Sequence, residues 1–173
     1  MRQLLPKPIS PRVLIGSALA CLLLTLSTAC TPHLAIAKKH PAIATPAPQL
    51  DRVRIGGNDF YLERAETPEQ LAQGLMFRRY LKPRHGMRFI FPSARFQSFW
   101  MKNTKLPLDM LFIHHGRVVD IIQRAVPCTK NPCPVYTSRQ PAEWVIELEG
   151  GTAAKYSLQL GDSVRLLPVS TSR

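Results

Sequence analysis

A chain of 173 residues makes one domain of common size rather than a string of them. Its 23 Lys and Arg stand against 11 Asp and Glu, a formal net charge of +12, which attracts anionic partners without specifying one. No G-x-S-x-G, H-E-x-x-H or P-loop pattern occurs, so no ready-made signature of a serine hydrolase, a zinc protease or a nucleotide-binding loop is present.

The chain opens on a leader. Arg2, Lys7 and Arg12 give it a basic start without an acid, and an apolar run follows from Val13 to Leu26. A membrane-spanning helix needs about 20 apolar residues, and this run of fourteen falls short. A basic start, a short apolar stretch and then small residues describe a secretory signal. It is expected over residues 1–37, with cleavage after Ala29 or Ala37. "LSTAC" resembles a lipoprotein box ending at Cys30, but Leu26 lies one position too far from the cysteine, so lipidation there is the less favoured outcome. Membrane association is expected only through the signal or such a lipid. Residues 38–50 are rich in Pro and Ala, lack any helix or strand period, and read as a tether.

The folded part is expected over residues 51–169, outside the cytoplasm. "DRVRI" alternates as a half-buried strand does, "GGND" is turn chemistry, and "FYLERA" returns as a second strand. Thr67, Pro68 and Gln70 form an N-cap, a first-turn proline and a capping box, which starts a helix running to about Phe77. "GMRFIF" and "RFQSFWM" read as strands, and "DMLFIHHGRVVDIIQRAV" as a hairpin turning at His115-Gly116. "AEWVIELEGG" alternates, with Trp144, Ile146 and Leu148 expected inward and Glu143, Glu147 and Glu149 outward. A helical turn, a Gly161-Asp162 turn and a last strand close the chain. About seven short strands with one or two short helices predict a single, mainly β domain, sandwich or barrel-like.

Eight bases between Glu69 and Asp109 have no acid among them: Arg78, Arg79, Lys82, Arg84, Arg88, Arg95, Lys102 and Lys105. They fit either an anion-binding field or a solvated face. Cys128 and Cys133, in "PCTKNPCP", read as a disulfide in an oxidising compartment. Their separation is too wide for a C-x-x-C redox pair, and His114 and His115, adjacent in a turn, are poorly spaced to complete a metal site with them. No cofactor or metal is expected.

The segment "FWMKNTKLPLD" carries the candidate binding residues. Trp100 can serve as a stacking platform, and Lys102 and Asn103 as donors to a ligand. Arg78, just past the helix, either pairs with Asp109 or points at that ligand. The structural reading of the same residues is a strand end whose turn is capped by Asn103 and Thr104 and held rigid by a buried Asp109. If the domain is an enzyme, Asp109 and Glu147 are the carboxylate pair to nominate.

Taken together, "ETPEQLAQGLMFRRYL", "GMRFIFP", "FWMKNTKLPLDMLFI", "VPCTKNPCPVY" and a late "GD" resemble domain-of-unknown-function family 192 (DUF192) over about Val53 to Leu166. The resemblance implies a small β domain, often behind a signal peptide, and no established reaction or ligand. Its signature positions fall here on Gly74, Leu75, Met76, Arg78, Gly86, Met87, Phe99, Trp100, Met101, Asn103, Thr104, Pro107, Leu108 and Asp109. The expectation is an extracytoplasmic, non-enzymatic binding module for an anionic or polysaccharide envelope component, using Arg78, Trp100, Lys102, Asn103 and Asp109. An envelope-polymer hydrolase and a structural accessory domain are its rivals, and no nucleic-acid partner is expected.

Overall fold

The computed structural model describes residues 50–168; the signal, its cleavage points, Cys30 and all of the tether before Leu50 lie outside the described residues. In chain order the elements are β1 (Leu50–Ile55), β2 (Asn58–Ala65), α1 (Pro68–Gln73), β3 (His85–Arg95), β4 (Ser98–Trp100), β5 (Leu108–His114), β6 (Arg117–Ala125), β7 (Val135–Thr137), β8 (Ala142–Glu149), α2 (Thr152–Lys155) and β9 (Val164–Leu167). The domain is therefore mainly β with two short helices, as expected, but with nine strands in place of about seven.

Seven strands form one sheet in the order β6-β5-β8-β3-β2-β1-β9. The sheet curls into a half-barrel, and a bridge between Arg117 and Ser163 ties the β6 edge to the segment entering β9. Neighbours pair antiparallel except β2 and β3, which run parallel because α1 carries the chain back between them. The remaining strands, β4 and β7, form a separate two-stranded arm.

Local chemistry accounts for the connections. Gly56 and Gly57 both have positive φ, which lets β1 turn directly into β2. The capping box is present: Gln70 N–H donates to the Thr67 hydroxyl, and the Gln70 side chain accepts from Thr67 N–H. The helix stops at Gln73, sooner than expected, because Gly74 adopts φ 47° and leaves the helix. His115 and Gly116, at φ 49° and 67°, make the two-residue turn between β5 and β6.

Both faces of the sheet are covered, giving two cores. The concave face packs Val53, Ile55, Phe60, Leu62, Leu111, Ile113, Ile146 and Leu148 against Ala153 of α2 and Leu158. The other packs Met87, Phe89, Met110, Phe112 and Val145 against Leu75, Met101 and Leu106, with Leu71 of α1, Phe99 of β4 and Tyr136 of β7 partly buried over them. This double cover corrects the expectation for Glu147: on a strand flanked by β5 and β3 it is only 4 % exposed, whereas Ile146 and Leu148 are buried and Glu149 is exposed, as expected.

Candidate functional site

Two signature segments meet over the second core. The turn after α1 carries Gly74, Leu75 and Met76; the loop after β4 carries Met101 to Thr104. Phe77 N–H donates to the Asn103 carbonyl at 2.9 Å, joining one segment to the other. Asn103 sits at φ 58°, a conformation asparagine tolerates, and its side-chain amide approaches Met76 Sδ at 3.9 Å. Met101 O accepts from Thr104 N–H and from Cys128 N–H, which ties the loop to the cysteine segment. Cys128 and Cys133 are bridged, as expected. Gly74 is required where it stands: a Cβ there would lie 2.9 Å from Phe89 Cζ, and its φ is positive.

Between these segments and β3 lies a cavity of about 200 Å³. Leu71, Gly74, Met76, Phe89, Phe91 and Phe99 form much of its wall, Trp100 stands beside it, and Gln97, Ser98, Thr104 and Glu147 supply polar atoms. It is small beside the roughly 300–1,000 Å³ of drug-sized ligand sites, so it suits a single ring or a chain end. Trp100 is 50 % exposed, and the Lys102 ammonium lies 5.1 Å from its ring centroid. The indole is thus a partly open surface beside a hollow, not a core residue.

Glu147 is the polar group that sequence reasoning placed wrongly. Met87 and Met110 are its register partners on the two adjacent strands. Burial pushes its carboxyl up to about 8 from an ordinary 4.5, and no opposing charge or hydrogen bond from the described residues offsets that. Among the described residues no fully sealed side-chain oxygen lacks a partner. Glu147 lines the cavity, and its carboxyl bonds to none of the described residues. Gly86 lets β3 approach here: a Cβ on it would fall 2.1 Å from the Glu147 carbonyl oxygen.

The other expected site residues lie at varying distance from this hollow. Lys102 and Asn103 stay on its Trp100 side, one over the indole and the other against Met76. Arg78 pairs with neither Asp109 nor the cavity; its guanidinium donates to Glu63 Oε2 at 2.7 Å. Asp109 is fully buried, and its carboxylate is occupied. Oδ1 accepts from Arg124 N–H at 2.8 Å, and Oδ2 from Gly151 N–H at 2.9 Å and Ala153 N–H at 2.7 Å. Asp109 therefore caps α2, whose own N-cap is a glycine, and holds the β6 bulge at Arg124, which has φ 50°. These bonds match the structural reading of Asp109, a buried carboxylate that braces its surroundings.

A second polar cluster escaped sequence reasoning because its members come from different strands. His114 Nδ1 lies 2.5 Å from Glu143 Oε2, and His115 N–H donates to Glu143 Oε1 at 2.6 Å. One ligand-type atom from each of these three residues lies within 4.8 Å of the others, a set that could hold a divalent metal. The Glu143 carboxylate is already engaged by both histidines, and the cluster's hydrogen bonds brace the hairpin tip against β8.

Fold and cavity together define a small extracore-pocket β protein: a curled sheet with a two-stranded arm and a short helix enclosing a hollow on its outer face. The chain belongs to the DUF192 family, described as uncharacterized ACR, whose model matches residues 52–166. Two crystal structures are similar to it. A protein from Sinorhizobium meliloti 1021, described as "a putative transcription regulator", is 40 % identical, with a TM-score of 0.64 over 69 % of this chain and 95 % of that one. A protein of unknown function from Novosphingobium aromaticivorans DSM 12444 is 34 % identical, with a TM-score of 0.64 over 73 % of this chain and 89 % of that one. No curated protein matches the chain.

Proposed function

We propose that this DUF192 domain is a non-enzymatic binding module working outside the cytoplasm, and that the hollow beside Trp100 receives one ring or chain end of a carbohydrate-like envelope component. The carrying observation is the half-exposed indole beside a cavity of about 200 Å³ with polar atoms among its lining. An aromatic face next to hydrogen-bonding groups suits the alternating apolar and hydroxylated faces of a sugar. The Cys128–Cys133 bridge is consistent with an oxidising compartment. Among the described residues no Lys, Arg or His lines the cavity, so the carbohydrate half of the expectation suits it better than the anionic half. Asp109 and Glu147, the pair nominated for a hydrolase, are offset by one position across neighbouring strands and so project to opposite faces of the sheet, which supports a binding role over that pairing.

The test is a glycan array followed by calorimetry on the full chain, at low and physiological salt. Binding should persist at physiological salt, since screening weakens charge attraction far more than stacking. Trp100→Ala should abolish it with little change in melting temperature. Retained binding in that variant, or binding that vanishes with salt, overturns the reading.

A further inference from the structure

Glu147 stands on the cavity wall. It is the ionisable group of the lining; every other lining residue is apolar, an amide, a hydroxyl or an indole. That is unexpected in a chain carrying 23 bases, several of them in the segments around the cavity. A buried carboxyl without a partner among the described residues is costly to ionise, so an empty site relieves it by holding a proton. The alternative relief is a cation supplied by the ligand. A charge-assisted hydrogen bond to a carboxylate in a poorly hydrated pocket is stronger than one between neutral groups. Phe91, Phe99 and Trp100 are aromatic residues of the same lining, and aromatic rings attract cations over their faces. An anionic group would meet a like charge or a second proton requirement, with no base on the wall to offset it.

We propose that the ligand group seated at Glu147 is a protonated amine, so that the ring beside Trp100 is an amino sugar with a free amino group. This rests on the reading of the cavity as a carbohydrate site. On loading, the carboxyl proton passes to solvent or to an unprotonated amine, and a carboxylate–ammonium pair replaces the neutral acid. The Lys102 ammonium, over the indole, is the nearby basic group on the rim. Trp100 is half-exposed, while Glu147 is 4 % exposed.

The experiment compares three oligosaccharide probes on the full chain by calorimetry: β-1,4-linked glucosamine, its N-acetylated counterpart and the uncharged glucose counterpart. The amino form should bind at least about tenfold tighter than either, a difference of about 1.4 kcal/mol. In Glu147→Gln that discrimination should collapse to about twofold or less. As a second readout, the carbon resonance of the Glu147 carboxyl should report ionisation at lower pH when the amino probe is bound. Equal binding of all three probes through Trp100 overturns the amine assignment and leaves the carbohydrate reading standing. Binding of none overturns both, and preference kept in Glu147→Gln overturns the assignment to this residue.

Discussion

Asp109 and Glu147 stand one register step apart on neighbouring strands and face opposite sides of one sheet. Asp109 pairs with Leu148 and Glu147 with Met110, so the strand alternation that sends one carboxyl to the concave core sends the other to the outer one. Both are buried, with opposite resolutions. Asp109 has backbone N–H donors on both oxygens; Glu147 has none from the described residues and relies on its proton.

Stability should fall as pH rises through the range that titrates Glu147. Its folded value, about 8, lies above the ordinary 4.5, so the folded state holds a proton that the unfolded chain releases. The cost grows from about pH 4.5 to about pH 8 and then levels. Glu147→Gln removes it. The variant should match the parent at pH 4 and exceed it by a few kcal/mol (about) at pH 8, in urea titrations. Parallel profiles for the two proteins would refute a carboxyl whose burial goes without an offsetting partner.

Asp109→Ala should cost about 3 kcal/mol or more, because three backbone N–H groups lose one acceptor together. Asp109→Asn keeps one acceptor oxygen and should cost less. Hydrogen exchange checks the mechanism: the amides of Arg124, Gly151 and Ala153 should quicken ahead of the rest of the sheet. Unchanged protection at those amides refutes the bracing role.

Asp51 gives the opposite acid response. Burial pushes its carboxyl up, but hydrogen bonds from Arg64 and Arg88 and the charges of both guanidiniums bring it below its ordinary value. Its folded value is depressed, so the pair's contribution is present above the ordinary carboxylate range and lost as pH falls through the folded value. Arg88 is 3 % exposed and lies over the Trp144 ring at 4.4 Å. Asp51→Ala strands that charge and should cost about 3–5 kcal/mol. Replacing both by apolar residues, Asp51→Leu with Arg88→Met, should cost less than the single change; a larger loss in the double variant counts against a stranded charge.

The Cys128–Cys133 bridge closes a short loop, with a sequence separation of 5. Reduction should therefore remove only about 2 kcal/mol and leave the sheet folded. Alkylation without reductant should leave both cysteines unlabelled. Global unfolding on reduction would mean the bridge holds more than its loop.

What the sequence by itself determined is whatever adjacent residues decide among themselves. The Gly56-Gly57 and His115-Gly116 turns, the Thr67–Gln70 capping box and the Cys128–Cys133 bridge each depend on a few neighbouring positions, and each was legible. Trp100 stood out from its own segment as a possible stacking surface, and it is among the residues that line the hollow. Tertiary structure alone decided the rest. Strand order placed β8 between β5 and β3 with cover on both faces, which turned an outward-reading Glu147 into a buried acid with no partner among the described residues. Likewise Asp109 found α2, Arg78 found Glu63, and His114 and His115 found Glu143, partners from 15 to 44 residues away in the chain. Alternation along a strand reports which side chains share a face; it carries no information about what the other elements bring to cover that face.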